Sequence, residues 1–341
     1  MVFKSKAPLR IGLAGGGTDV SPYADLYGGA VINVTISHYA SAEITPLESD
    51  VVELFSADRN ETFRGNLNEE FPITGSLDLL KGMHNCILRD YGPFATGFRL
   101  STTVDAPLGS GLGTSSTLMV AIVGVFFEML KIPPEPFKAA QYAYDAERKY
   151  LLFPGGKQDQ YAAAFGGINY MEFKEGTVDV KPIVLSRENT AKLENNLLLY
   201  YTGINRESSF IIREQMENVN QQNQPSISAM HSLKHQSEMM KEALSRGDID
   251  EIGPLLDMGF THKRKMAAEI SNPLIEEIYT AAVNAGASGG KISGAGGGGF
   301  MIFYCPDNSR QMVCDALHNF GGSLKPFTFS YQGMTAWTEL K

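Results

Sequence analysis

The amino-acid sequence predicts an α+β protein of two domains. Its 341 residues exceed what one hydrophobic core usually organises. Segments rich in β-branched residues alternate with segments of helical periodicity through the first half of the chain. A second α+β unit opens near residue 195. We therefore expect one domain over residues 1–190 and another over residues 191–341.

The first half is predicted to contain four strands, three helices and a hairpin. The strands are segments of β-branched and other apolar residues, over 9–15, 30–44, 51–57 and 97–104. Apolar residues at helical spacing predict a helix over 76–92. The long apolar run after the second glycine-rich stretch predicts a helix over 115–130, and 133–151 is predicted as a further helix with prolines at its start. A short helical piece follows a glycine-rich turn within 154–167, and residues 168–183 form a hairpin around the turn "KEG".

The second half is predicted to begin with a strand at 195–203. An amphipathic helix covers 226–247 and ends at a glycine. The segment 290–305 is then predicted as a strand, 309–320 as a helix, and the region near 325–331 as the last strand.

Composition excludes several classes of partner. There are 29 basic and 38 acidic residues, a formal net charge of −9, and no cluster of Lys and Arg, so we expect no nucleic-acid partner. The first residues lack an apolar signal-peptide core, and the longest apolar run, Leu118–Leu130, is too short for a membrane span. Three scattered cysteines without CxxC spacing indicate reduced thiols. We expect a cytoplasmic protein without membrane contact.

Glycine clusters carry the strongest functional signal. They read "GLAGGGTD" (12–19), "PLGSGLGTSS" (107–116) and "SGAGGGG" (293–299). Glycine lets backbone amides approach an anion closely, and the N-terminus of a helix adds a positive dipole end. The second cluster precedes the apolar helix predicted over 115–130, so we interpret it as a phosphate-binding loop.

Two common nucleotide-binding motifs are excluded. The segment "GGKQ" (155–158) lacks the upstream glycine and the hydroxyl residue of a P-loop. Gly294, Gly296 and Gly299 match the GxGxxG fingerprint of dinucleotide-binding folds, but the apolar segment after them is strand-like, where the fingerprint requires a helix. Neither HRD nor DFG, the marks of protein kinases, occurs.

Taken together and in order, the three clusters resemble the motifs of the GHMP kinases. "APLRIGLAGGGTD" (7–19) resembles the first motif, "PLGSGLGTSS" the second, and "KISGAGGGG" (291–299) the third. The resemblance spans nearly the whole chain. It implies an N-terminal α+β domain, a ferredoxin-like C-terminal domain, and a cleft between them in which ATP meets a small-molecule acceptor.

The resemblance also implies the roles of individual residues. The phosphate loop would bind ATP through Pro107, Gly109, Ser110, Gly111, Leu112, Gly113, Thr114, Ser115 and Ser116. Glu147 and Ser115 would be the ligands of Mg²⁺, a hard cation that prefers oxygen. The carboxylate of Asp159 would face the acceptor hydroxyl, and Arg10 would pair with Asp159 and hold it ionised.

For the acceptor, the resemblance is to sugar kinases of the family. The residues implied for substrate binding are Gly16, Gly17, Thr18, Asp19, Gly294, Gly296 and Gly297. The stretch 8–36 and the segment 155–173 are similar to the branch that phosphorylates D-glycero-D-manno-heptose 7-phosphate. Such a sugar phosphate needs cations, for which Lys157 and Arg206 are candidates. A fucokinase-like enzyme acting on a free sugar, and a nucleotide-binding scaffold without turnover, remain alternatives. The oligomeric state is left open.

Overall fold

The computed structural model describes residues 1–107, 109–205, 208–306 and 308–340. Its strands are β1 Val2–Ala14, β2 Gly29–Pro46, β3 Val51–Ser56, β4 Glu61–Asn66, β5 Phe98–Val104, β6 Ile168–Lys174, β7 Thr177–Pro182, β8 Leu197–Tyr201, β9 Gly289–Ile292, β10 Phe300–Tyr304, β11 Ser323–Leu324 and β12 Thr335–Glu339. Its α-helices are α1 Tyr23–Tyr27, α2 Asp78–Tyr91, α3 Thr114–Met129, α4 Pro136–Tyr144, α5 Gln158–Phe165, α6 Arg187–Asn196, α7 Ser208–Asn220, α8 Gln224–Arg246, α9 Ile252–Lys263, α10 Pro273–Asn284 and α11 Ser309–Leu317. The predicted α+β class is confirmed.

The first sheet is built around the long strand β2. The strand order is β12–β1–β2–β5–β3–β4, and β6 pairs with the first half of β2 and carries β7. All pairs are antiparallel except β3 with β5, which the α2 crossover makes parallel. Strand β1 shifts its register against β2 between Pro8 and Arg10 and again between Gly12 and Ala14. Such bulges redirect side chains, and here they lie beside the first glycine cluster.

Helix α3 is the central helix of this half of the molecule. Thirteen of its sixteen residues are buried, because it is apolar on every face. It packs against β1 and β2, and its aromatic residue Phe126 contacts the rings of Phe94 and Phe98. Burial on all sides holds the N-terminus of α3, and therefore the preceding phosphate loop, in one position.

The second sheet has the order β11–β8–β10–β9, and all its pairs are antiparallel. In chain order the unit consists of β8, helices α7 to α10, β9, β10, α11 and β11. A β-α-β-β-α-β connection with spatial strand order 4-1-3-2 is the ferredoxin-like arrangement. The ferredoxin-like C-terminal architecture implied by the family resemblance is therefore confirmed.

Three sequence predictions need comment. The last strand is β12, which pairs with β1 in the first sheet; the region 325–331 forms only an isolated bridge between Phe329 and Ile36. The helix predicted over 133–151 ends at Tyr144, and a π-helical turn over Asp145–Tyr150 continues it. The predicted domain boundary falls within α6, and the division of the chain there stays a prediction.

In the described ranges, no helix has the length and apolar character needed to cross a membrane.

Truncation of Phe126 tests the central role of α3. Phe126 is fully buried, so we expect Phe126→Ala to lower the free energy of unfolding by about 3–5 kcal/mol through lost burial and a residual cavity. Phe137→Ala is the matched control, because this phenylalanine is 48% exposed. Urea unfolding followed by circular dichroism measures both, and an equal loss in the two variants would contradict the packing.

Candidate active site

A cavity of about 590 Å³ lies between the part of the chain that contains the first sheet and the ferredoxin-like part that contains the second. Its walls come from β1, the turn after β3, the first residues of α2, the phosphate loop, the start of α5, helix α7 and the third glycine cluster. Most predicted site residues lie on these walls: Arg10, Gly17, Asp19, Gly109, Gly111, Gly113, Thr114, Ser115, Ser116, Glu147, Asp159, Gly294 and Gly296. Residues from the three glycine clusters therefore meet in one place.

The second glycine cluster forms a loop that ends at the N-terminus of α3. Gly109, Gly111 and Gly113 have φ angles of 75°, 86° and 76°, a region that strains other residues. No side chain caps α3 at Gly113, so backbone N–H groups of its first turn are available to an anion. Three predicted loop residues do not line the cavity: Pro107, Ser110 and Leu112. The side chains of Ser110 and Leu112 are buried in the protein instead.

The phosphate loop and the third glycine cluster touch through their backbones. A Cβ atom added to Gly294 would lie 2.6 Å from the Cα of Gly111, and one added to Gly111 would lie 2.7 Å from the carbonyl oxygen of Ser293. The Ser293 hydroxyl donates to the Gly111 carbonyl at 2.8 Å, and the N–H of Phe300 donates to the Ser110 carbonyl at 2.9 Å. Only glycine permits this approach, which explains the composition of both segments.

Arg10 and Asp159 form an ion pair at the floor of the cavity. The Nε and Nη2 atoms of Arg10 lie 2.7 Å and 2.6 Å from the same carboxylate oxygen, Oδ1 of Asp159. The third nitrogen, Nη1, donates to the Gly111 carbonyl at 2.8 Å. Oδ2 of Asp159 faces Gly113, where an added Cβ would lie 3.0 Å away. Asp159 thus keeps one oxygen for a substrate.

Asp19 is the acidic residue of the first glycine cluster, and it is almost fully buried. It accepts hydrogen bonds from the backbone N–H of Gly17 and Gln158, at 3.2 Å and 3.1 Å, and from the Gln158 side chain at 3.0 Å. Burial, and then the nearby negative charge of Asp159, raise the pKa of Asp19. Asp19 and Asp159 both line the cavity, so a polyhydroxylated ligand there has two carboxylates as possible partners.

Comparisons with known proteins identify the family of this chain. The GHMP kinases N terminal domain matches residues 78–167, and the GHMP kinases C terminal domain matches residues 240–322. The D-glycero-alpha-D-manno-heptose 7-phosphate kinase of Campylobacter jejuni is 38% identical over 98% of both chains. The chain belongs to the GHMP kinase family.

Two further relatives illustrate the range of this kinase family. The crystal structure of a D-glycero-D-manno-heptose 1-phosphate kinase from Bacteroides thetaiotaomicron superposes with a TM-score of 0.84, at 38% identity over 99% of this chain and 100% of that one. The bifunctional fucokinase/GDP-fucose pyrophosphorylase of Arabidopsis thaliana is 24% identical over 90% of this chain and 30% of its own length. As a GHMP kinase, the protein is an ATP-dependent phosphotransferase.

Glu147 and Ser115, the predicted ligands of a divalent cation, both line the cavity of this kinase. Glu147 is buried in the π-helical turn, where one carboxylate oxygen accepts from Gln160 at 2.7 Å and the other lies 3.1 Å from Arg148. Arg148 in turn donates to the Ser116 hydroxyl at 3.0 Å. In the described ranges, no three acidic, His or Cys side chains gather into a metal site. A carboxylate and a hydroxyl are oxygen donors of the kind that a hard cation such as Mg²⁺ prefers.

Four predicted substrate residues do not line the cavity. The Thr18 hydroxyl donates to the Gly15 carbonyl at 2.8 Å and accepts from the Ala30 N–H at 3.0 Å, so it shapes the turn. The Gly297 N–H is bonded to the Ile270 carbonyl. The other two, Gly16 and Lys157, are also absent from its walls.

The structure does not place Lys157 on the cavity wall, and its role as a phosphate ligand stays a prediction. Its ammonium lies 3.7 Å from the Asp25 carboxylate and over the ring of Tyr144, so its charge is already paired away from the cavity. Arg206, the other predicted phosphate ligand, lies outside the described residues.

Sequence reasoning missed Lys263, the last residue of α9. The residue is buried in the cavity wall, and its Nζ donates to the Gly294 carbonyl at 2.6 Å. Burial, and then the positive charge of Arg10, lower the pKa of Lys263 to about 8, while Asp19 opposes the shift. A lysine at a helix C-terminus usually faces solvent, so no local pattern marks this one.

The lowered pKa of Lys263 predicts a stability effect above neutral pH. The unfolded chain keeps this proton up to the ordinary lysine pKa of about 10.4, whereas the folded protein releases it from about pH 8. The unfolded state binds more protons in that window, so the free energy of unfolding gains up to about 3 kcal/mol as pH rises through it.

Urea unfolding at several pH values between 7 and 10 measures this effect. We expect Lys263→Met to show a smaller rise than the parent, by up to about 3 kcal/mol, since methionine carries no proton. The buried Lys291, whose pKa burial also lowers, contributes a rise in both proteins. Lys265→Met, at an exposed position two residues further on, should follow the parent curve. Parallel curves for the parent and Lys263→Met would contradict the assignment.

Proposed function

We propose that the protein transfers the γ-phosphate of ATP to the anomeric hydroxyl of D-glycero-D-manno-heptose 7-phosphate, which yields the 1,7-bisphosphate. The observation that carries the chemistry is the Arg10–Asp159 pair, which leaves one carboxylate oxygen free beside the phosphate loop. The substrate assignment is supported by the 38% identity to the Campylobacter jejuni enzyme over the length of both chains. A product of this kind belongs upstream of nucleotide-activated heptoses for cell-surface glycans.

ATP would lie along the cavity from α2 to the phosphate loop. Leu77, just before α2, and Leu79 and Leu80 in its first turn give that end of the cavity an apolar lining suited to adenine. The phosphates would accept hydrogen bonds from the N–H groups at the start of α3. Mg²⁺ would be held by Ser115 and Glu147 and would neutralise charge on the phosphates.

The acceptor hydroxyl would lie against Oδ2 of Asp159. As the anomeric oxygen attacks the γ-phosphorus, its proton passes to Oδ2, the bond between the γ-phosphorus and the bridging oxygen breaks, and ADP leaves with the electron pair. Arg10 holds the Asp159 carboxylate in place through two contacts to Oδ1, so Oδ2 stays directed at the acceptor. Catalysis of phosphoryl transfer depends mainly on positioning and charge stabilisation, and an anomeric hydroxyl is more acidic than an ordinary alcohol, so a carboxylate suffices here.

The sugar end of the site is formed by the first and third glycine clusters. Asp19 and Gln158 offer polar atoms to hydroxyl groups, and Gly17, Gly294 and Gly296 leave room for the ring. Within our assignment, residues 1–190 supply most of the nucleotide site and residues 191–341 close over the sugar. We expect the reaction in the cytoplasm, where ATP is available and where the three unpaired cysteines stay reduced.

Two alternatives remain. A fucokinase-like reaction on a free sugar is favoured by the Arabidopsis thaliana relative, at 24% identity over 90% of this chain. A nucleotide-binding scaffold without turnover is disfavoured by the retention of Ser115, Glu147 and Asp159 on one cavity.

Replacement of Asp159 tests the function. We expect Asp159→Asn to lower kcat by about 10²–10⁴-fold, because the amide cannot take the proton, while ATP affinity changes little. ADP release is measured with D-glycero-D-manno-heptose 7-phosphate, L-fucose, D-galactose, D-mannose and mevalonate. Asp145→Asn is the control, since its carboxylate is exposed and paired with Lys149. Turnover of only a free sugar would reject the heptose phosphate, and ATP binding without turnover would favour the scaffold.

Glu147→Gln tests the proposed cation ligand. We expect the Mg²⁺ concentration for half-maximal rate to rise about 10-fold or more, because a neutral amide binds a hard cation less well than a carboxylate. Calorimetry should show weaker binding of Mg²⁺-ADP with unchanged binding of ADP in EDTA, whereas Asp145→Asn should match the parent. Equal weakening with and without Mg²⁺ would instead indicate a purely structural role in the π-helical turn.

A further inference from the structure

If the substrate already carries a phosphate, as the proposed function holds, the cavity must offer cations to that second phosphate. Guanidinium and ammonium groups are the usual partners, through charge-assisted hydrogen bonds. Within the part of the chain that the structure describes, five basic residues line the cavity: Arg10, Arg59, Arg148, Arg213 and Lys263. Their contacts decide which of them can serve.

Three of the five are engaged or lie at the other end. Arg10 is committed to Asp159 and to the phosphate loop. Arg148 is committed to Glu147 and Ser116, beside the proposed cation ligands. Arg59 lies in the turn between β3 and β4, on the wall that also carries the start of α2, where we place the nucleotide.

The fourth, Lys263, lies beside the first and third glycine clusters. One of its three N–H groups donates to the Gly294 carbonyl, and a Cβ added to Gly16 would lie 3.8 Å from Nζ. Two donors are left for a ligand. With a pKa of about 8, Lys263 is mostly charged at pH 7, and a bound phosphate would stabilise the charge further.

The fifth, Arg213, lies on α7. Among the described residues, none forms a hydrogen bond or an ion pair with its guanidinium, which is exposed to the cavity. The same helix approaches the first glycine cluster, since Oε1 of Gln215 lies 3.6 Å from where a Cβ on Gly17 would be. Within the described ranges Arg213 therefore has no ionic partner, and it lies on the side of the cavity that we assign to the sugar.

We propose that Arg213 and Lys263 bind the phosphate that the sugar substrate carries before the reaction, and so select phosphorylated over free sugars. Asp19 interacts electrostatically with both Lys263 and Asp159: its charge raises the pKa of Lys263, and the charge of Asp159 raises the pKa of Asp19. The sugar ring would lie over Asp19 with its anomeric hydroxyl at Asp159 and its phosphate between α7 and α9. The two cations come from the C-terminal half, whereas Asp159 comes from the N-terminal half.

The test compares two acceptors that differ only in the phosphate. Steady-state kinetics with Mg²⁺-ATP are measured for D-glycero-D-manno-heptose 7-phosphate and for unphosphorylated D-glycero-D-manno-heptose. We expect Arg213→Gln to lower kcat/KM for the phosphorylated sugar by about 10- to 100-fold, mainly through KM, and to leave that for the free heptose unchanged. Lys265→Gln, which removes an exposed charge outside the cavity, should leave both values unchanged.

Lys263→Gln should lower kcat/KM more for the phosphorylated sugar than for the free heptose, because Lys263 also bonds to Gly294 beside the sugar. Calorimetric binding of heptose 7-phosphate in the absence of nucleotide is an independent readout. Because Lys263 is buried, the stability of Lys263→Gln is first checked by thermal unfolding. If Lys263→Gln is unstable, the test rests on Arg213→Gln, whose side chain is exposed. Unchanged kinetics of Arg213→Gln on a phosphorylated sugar that the parent enzyme uses would overturn this inference alone. Failure of the parent enzyme to use heptose 7-phosphate would overturn both this inference and the proposed function.

Discussion

The buried guanidinium of Arg10 connects the parts of the molecule that must stay in register for phosphoryl transfer. It extends from β1, holds one oxygen of Asp159 at the start of α5, and donates to the Gly111 carbonyl in the phosphate loop. Because Arg10 is only 3% exposed, loss of its partner would leave a buried charge uncompensated, at a cost of about 3–5 kcal/mol. This constraint makes the acceptor-facing carboxylate and the phosphate loop one rigid unit. Strand β1 can hold it because β2 and β12 pair on either side.

The glycine clusters satisfy a second constraint, that two backbones from distant parts of the chain come within contact distance. Gly111 and Gly294 meet without side chains, and Ser293 closes the contact with a hydrogen bond. This contact brings α7 and α9 of the C-terminal half over the sugar end of the cavity, and with them Arg213 and Lys263. The N-terminal half thus supplies chemistry common to GHMP kinases, and the C-terminal half is suited to discriminate among acceptors.

Much of the fold and site could be predicted from sequence, because the relevant signals are local. Helices α2 and α8 follow from helical periodicity, strands β2 and β5 from β-branched and apolar content, and α3 from a long apolar run after the glycine-rich phosphate loop. Predicted site residues lie off the cavity wall where a side chain has a choice of partners. Lys157 follows the glycine-rich turn at 154–156, and its ammonium lies near the Asp25 carboxylate. The Thr18 hydroxyl donates to the Gly15 carbonyl within its own turn. The sequence also could not show that β12 pairs with β1, since the residue pattern of a strand does not indicate which strand it pairs with.

The sequence by itself determined the α+β class, the phosphate loop at the start of a buried helix, and the identity of the motif residues Arg10, Glu147 and Asp159. These depend on residue type and on spacing along the chain, which the family motifs preserve. Only the tertiary structure decided which charges are already paired and which remain for a ligand. Lys263 and Arg213 are 50 residues apart and lie on separate helices, so only the packing of α7 and α9 against the glycine clusters brings both to one cavity. Charge pairing is a property of three-dimensional proximity, and local sequence patterns do not encode it.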